Sequence, residues 1–272
     1  MTVTLLSGSS VPKKPFPLAL LGVGLAALAG VIALQSQTIE AVKTPDPRQD
    51  LLARQQGISF AAALGPLGYG NLGSGWLWLE FIQYYGHNDR RTTGYTLAYP
   101  YLDTITTLDP SFFLAYRYAP AVLAFTAGEP ENALALLQRG TEVMTPEVNS
   151  RSYLLHLDQA GIYFLLLGDA EAGRAAYHAG ADWYEAVPEH EGNGDSWRAL
   201  GNRLVDRPNS RRVRFDVWLS LYRTIADPDT QERILAELAE LGTVRQTETG
   251  ELEILPPPDS ALFQEEGESE VN

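Results

Sequence analysis

Polar and apolar positions divide the chain into stretches of unlike pattern. From Phe16 to Leu34 the run FPLALLGVGLAALAGVIAL has no charged or strongly polar side chain. As a helix rising about 1.5 Å per residue it measures about 28 Å, close to the ~30 Å hydrocarbon core of a bilayer. A helix is also the form that satisfies its own backbone in lipid. Lys13 and Lys14 precede the run, and Gln35, Ser36, Gln37 and Thr38 return it to water. The pattern predicts a polar N-terminus (1–15) and one transmembrane helix (16–34). A cleaved signal peptide is the alternative, with small-residue sites at Ala27-Leu28-Ala29 and Val31-Ile32-Ala33. The run exceeds the roughly 7–15 residues of a signal core, which favours a retained anchor. Lys13 and Lys14 lie closer to the run than Lys43 and Arg48 do, which tilts orientation toward an extracytoplasmic main domain.

Residues 35–75 read as a linker and connecting helix, with the glycine-rich GPLGYGNLGSG (65–75) as a hinge. Beyond it, strict apolar–polar alternation is scarce and helix formers dominate. Three segments repeat: TGYTLAYPYLDTITTLDP (93–110), GEPENALALLQRGTEVMTP (128–146) and GDAEAGRAAYHAGADWYEAVP (168–188). Aligned on Thr93, Gly128 and Gly168, each has a small residue at five positions on (Ala98, Ala133, Gly173). A larger apolar residue stands at nine (Leu102, Leu137, Tyr177), and Ile105, Gly140 and Gly180 stand at twelve. Gly86, Ala121 and Gly161 lie seven before each anchor, and Pro110, Pro146 and Pro188 close the segments. Glycine followed by acids ends one helix and starts the next, Pro130 suits a first helical turn, and the small residues let paired helices approach.

This pattern resembles the tetratricopeptide repeat, whose period is 34 residues. The likeness spans Trp76 to Pro188, about three repeats. The first lacks a turn glycine at its expected place, Gly94 falling one residue late; Pro120 lies inside a first helix, where it should kink it; and the third unit is longer than the ideal period. The resemblance implies an all-α fold, a TPR-like α-solenoid of stacked helix pairs over 76–188 behind one N-terminal transmembrane helix. It also implies a groove lined by the first helix of each pair. Carried over position by position, the groove residues are Phe81, Tyr84 and Asn88, then Tyr118, Val122 and Phe125, then Leu155, Asp158 and Ile162. That set has no clustered basic residues to clamp a peptide carboxylate, and suits an apolar peptide or partner helix. Residues 189–242 are expected to hold capping helices, with Phe215, Trp218, Leu219 and Tyr222 forming an apolar stripe.

The last stretch, 243–272, is acid-rich and carries Pro256-Pro257-Pro258, which predicts a disordered or loosely docked tail. The full chain of 272 residues has a formal net charge of −14, which argues against broad nucleic-acid binding. With no cysteine, thiolate catalysis and cysteine-held metals are excluded. Gly68-x-Gly70-x-x-Gly73 matches a dinucleotide fingerprint by spacing, but no strand pattern precedes it. His87, His156, His178 and His190 lack metal-helix spacing, and Glu189-His190-Glu191 reads as a solvated loop. No catalytic, cofactor or metal site is expected, and the chain is not read as an enzyme. The function expected is that of a membrane-anchored protein-binding scaffold or assembly factor holding a subunit of a membrane complex. A permanent accessory subunit is the alternative, and a secreted enzyme a remote one.

Overall fold

A computed structural model describes residues 47–258 except 191, 207–209 and 249, together with Ala29, Gly30 and Ile32. The chain divides into two compact units, Met1–Asp50 and Leu51–Asn272. In the first, Ala29, Gly30 and Ile32 are helical and exposed. The rest of the run 16–34 lies outside the described residues, and no described helix is long and apolar enough to cross a membrane.

The second unit is mostly helical. After α1 (Pro47–Ala62) come α2 (Gly70–Tyr85), the single turn α3 (Arg90–Thr93) and α4 (Ala98–Leu108). Helix α5 (Phe113–Ala119) continues into a wide turn, Pro120–Ala124, before α6 (Pro130–Val143); α7 (Tyr153–Ile162) continues likewise into Tyr163–Leu167 before α8 (Ala170–Glu185). Helices α9 (Asp195–Val205), α10 (Ser210–Thr224) and α11 (Pro228–Leu241) follow. Strands β1 (Thr243–Gln246) and β2 (Leu252–Leu255) complete the order.

The main helices α2 and α4 to α9 pack in chain order, each on the next. The repeated small residues explain the close approaches. Ala98 and Ala133 are fully buried, and a Cβ on Gly173 would lie 2.5 Å from the Phe164 ring. On Gly140 it would lie 3.0 Å from Tyr116 and 3.2 Å from Leu155, so this position seats one pair against the next. Leu102 and Leu137 fill the space between helices, and Tyr177 stacks on Trp197 of α9 at 6.3 Å. The residues seven before each anchor have a different role. Gly86 and Ala121 are exposed, and nothing lies within 4 Å of a Cβ on Gly161.

Helices α4, α6 and α8 end two or three residues before Pro110, Pro146 and Pro188, because the residue preceding a proline is driven out of the helical region. Pro120 opens a wide turn, in which Phe125 N–H donates to Pro120 O at 2.9 Å and Ala127 N–H to Val122 O at 2.9 Å. Five-residue spacing relieves a helix at a residue that has no N–H and crowds the preceding turn. Gly168 N–H closes the same kind of turn on Tyr163 O at 2.7 Å with no proline present, so the widening belongs to the repeat position and not to proline alone.

Three expectations need correction. The glycine-rich segment is only partly a hinge, since helix α2 begins at Gly70. A Cβ at Gly70 would stand 2.6 Å from Leu108 O and one at Gly73 3.2 Å from Ala61 O, so these glycines let α2 press against α1 and the end of α4. The C-terminal helices do not all cap the array. Helix α9 covers α8, where Arg198 reaches Asp182 at 2.6 Å and Glu185 at 2.7 Å. Helices α10 and α11 instead turn back across the turns of the pairs. Finally, Thr243–Gln246 and Leu252–Leu255 form an antiparallel ladder, Val244 opposite Ile254, where a disordered or loosely docked tail was expected. Both side chains are half-buried against the core, and that apolar contact offsets the acidity around them. Residues 259–272 lie outside the described set.

The α10–α11 strap meets the turns at Gly94, Gly128 and Gly168. Asp227 caps α11 through Thr230 N–H at 3.0 Å, and its carboxylate lies 2.8 Å from where a Cβ on Gly94 would be. Arg233 donates to Ala127 O at 3.1 Å, beside Trp218 and Ile234, which face Gly128. Arg214 and Trp218 both donate to Leu166 O, at 2.9 and 3.3 Å. Gly168 has φ +75°, and a Cβ there would also strike the Arg214 guanidinium. Gly168→Ala is therefore expected to lower stability by about 1–3 kcal/mol. Gly161→Ala, in open space within α7, should be neutral or stabilising by up to ~1 kcal/mol. Urea unfolding followed by circular dichroism measures both; equal effects would contradict the strap geometry.

Candidate protein-binding surface

The nine residues expected to line a groove do not come together on one open face. Phe81, Tyr84, Val122, Leu155 and Ile162 are completely buried. Phe81 lies among Trp78, Tyr85, Tyr101 and Tyr118, at ring distances of 5.5 to 6.5 Å. Tyr84 accepts from Leu97 N–H at 3.1 Å and carries the Arg90 guanidinium 4.6 Å above its ring. Burial raises the Tyr84 hydroxyl above its ordinary pKa, so it remains a neutral phenol holding the loop before α4. Leu155 packs beside Gly140. A partner could touch these five only by parting the helices. The stripe Phe81–Tyr84 lies on one face of α2, but that face is turned to the core.

The other four lie nearer the surface. Asn88 is exposed in the turn after α2. Asp158 pairs with Arg117, which also donates to Leu154 O at 3.3 Å, so the first helices of the second and third pairs are bridged by charge. Phe125 is half-buried and lines a cavity of about 360 Å³ with Tyr85, Tyr95, Thr126, Thr224 and Ile225. Tyr118 is 37% exposed and stands edge-on to Trp78 at 5.1 Å, linking the first helices of the first and second pairs.

Around that contact the structure exposes residues outside the expected set: Leu79 (63%) and Ile82 on α2, and Leu114 (51%) on α5. Consecutive first helices thus present Leu79, Ile82, Leu114 and Tyr118 to solvent. A sequence signal for them exists. Helix α2 carries apolar residues on two sides, burying Leu77, Phe81 and Tyr84 on one and showing Leu72, Leu79 and Ile82 on the other. A helix needs one apolar stripe to join a core, so a second stripe asks for a second contact.

Polar candidates gather into no comparable centre. Among the described residues no group of three His, Cys, Asp or Glu side chains is placed to hold a metal ion. Gly68 and Gly70 sit in the turn entering α2, and the described strands lie at 243–246 and 252–255, away from it. His190 stacks on Tyr184 at 4.1 Å. His178 shares a hydrogen bond with Asn202 at 3.0 Å across α8 and α9.

Comparison with protein-family models, curated proteins and solved structures gives no match to this chain. The tetratricopeptide resemblance therefore rests on its own residues.

One buried histidine gives the array a pH dependence. His156 stands edge-on to Trp183 at 4.4 Å, and its Nε2 is buried with no hydrogen-bond partner among the described residues. Burial pushes its pKa below the ordinary 6.5, against a smaller opposing effect of Gln159. The folded state prefers the neutral ring, so below pH 6.5 the unfolded chain binds the extra proton. This contribution is complete above pH 6.5 and is lost as the pH falls toward and through the lower folded value. Lowering the pH from 7.5 to 5.5 is expected to destabilise the native chain more than His156→Gln, as measured by urea midpoints at each pH. Parallel losses would remove His156 from the account.

Proposed function

We propose that the chain is a membrane-anchored scaffold or assembly factor, a TPR-like α-solenoid that holds a peptide or helix of a membrane-complex subunit against its first helices. Phe16–Leu34 is the anchor in this reading, and the function is binding, not turnover. The observation that carries it is the exposed apolar set Leu79, Ile82, Leu114 and Tyr118 on neighbouring first helices. Apolar side chains at one helical stripe would meet the corresponding stripe of an amphipathic or membrane helix, with area removed from water as the driving force. This places the binding residues one face away from most of the groove positions that the repeat resemblance implies. Tyr118 is common to both sets.

The anchor would keep the array beside subunits of the same membrane, raising their effective concentration. Transient capture would serve assembly; a fixed stoichiometry through purification would mark a permanent accessory subunit instead.

Leu79→Ser combined with Leu114→Ser removes two exposed side chains that the core does not use. The pair is expected to weaken partner recovery from gently solubilised native membranes by roughly 10–100-fold, with helical circular dichroism unchanged. Recovery equal to that of the native chain would move binding off this face.

A further inference from the structure

We infer that the tip of the α1–α2 hairpin is inserted in the interfacial layer of a lipid bilayer, as a second membrane contact beside the anchor; the inference rests on the membrane-anchored reading above. From Gln55 to Leu79 no residue carries a charge, in a chain whose composition is 20% charged. This stretch runs down the end of α1, round the turn and up α2. At the tip Leu67 is 68% exposed, Tyr69 59% and Leu72 67%, with Phe60 62% exposed on the flank beside Trp76. A soluble surface seldom gathers so many large apolar groups at one turn.

The backbone of the tip suits lipid as well. Every N–H from Ala63 to Tyr69 donates to a carbonyl of the same hairpin: Ala63 to Ser59, Leu64 to Ala61, Gly65 to Ala62, Leu67 and Tyr69 to Leu64, and Gly68 to Gly65. Pro66 has no N–H to satisfy. The turn therefore leaves few donors that need water, which suits the interfacial layer, where the first N–H groups of α2 at Gly70 and Asn71 stay hydrated. Arg54 and Glu80 pair at 3.5 Å across the two helices where the uncharged zone ends. The turn rests on the end of α4, where Leu108 O would lie 2.6 Å from a Cβ on Gly70 and the charged Asp109 follows, so insertion stops at the interfacial layer. With no basic residue in the zone and a net charge of −14, anionic lipid is not the attraction. The contact is apolar, and Trp76 and Tyr69 are the side chains that favour the headgroup boundary.

The chain has no cysteine, so single-site labels are available in the full protein. Leu67→Cys, Ala27→Cys and Val148→Cys, each carrying an environment-sensitive fluorophore, are reconstituted in zwitterionic phosphatidylcholine vesicles. The label at 67 is expected to lose most of its emission to a nitroxide lipid and little to aqueous iodide. The label at 148, on the exposed turn after α6, should do the reverse. Lipid quenching at 27 with iodide quenching at 67 overturns the inference and leaves the anchor standing. Iodide quenching at 27 overturns the anchor, and the inference with it. A label at 67 shielded from both quenchers shows a protein surface covering the tip, either a second copy or another segment of the chain, and also overturns the inference.

Discussion

Closure of the C-terminal hairpin over the three glycine turns is the contact on which the arrangement of the helices depends. In a simple stacked array each pair touches only its neighbours, and stability is a sum of local terms. Here Asp227, Arg233 and Trp218, together with Arg214, reach turns that are 48 to 133 positions away in sequence. Arg233, Arg214 and Trp218 satisfy carbonyls at these turns. Ala127 O and Leu166 O would otherwise lie under the strap without a donor, which is costly when water is excluded. Positive φ favours glycine at all three turns, and at Gly94 and Gly168 the missing Cβ also leaves room for the strap.

That closure also sorts the surfaces of the molecule. The edge formed by the turns is covered by α10 and α11, and α9 covers the end of the array at α8. The face of the first helices stays open, and with it Leu79, Leu114 and Tyr118. Charge follows the same division. Arginine–carboxylate pairs tie helices together through Arg117–Asp158, Arg139–Asp103 and Arg198–Glu185, while the N-terminal hairpin is uncharged from Gln55 to Leu79. The proposed binding face and the proposed lipid contact are thus apolar regions that the tertiary packing leaves uncovered.

Much of the helical architecture was legible along the chain because its causes are local. Glycine at 128 and 168 followed by acids marks a helix end and a new start, and Pro110, Pro146 and Pro188 fall just beyond helix ends. Small residues at 98, 133, 140, 173 and 180 report close approach. The candidate site was far less legible. Phe81, Tyr84 and Leu155 have the character of groove residues, yet an aromatic at helical spacing suits a core equally well, and register on the repeat did not decide between them. Helix α2 shows why: with apolar residues on both sides, its pattern says that two faces are wanted and not which one is inward.

The sequence by itself determined that the chain is mostly helical, where its turns fall, and that apolar surface is concentrated near its N-terminal end. These follow from backbone preferences and side-chain spacing within a few residues. Only the tertiary structure decided that α10 and α11 return across the turns, that Val244 and Ile254 order the start of an acidic tail, and which apolar stripe of α2 meets water. Each of those outcomes depends on what a distant segment covers, and burial of that kind leaves no fixed period in the sequence to read.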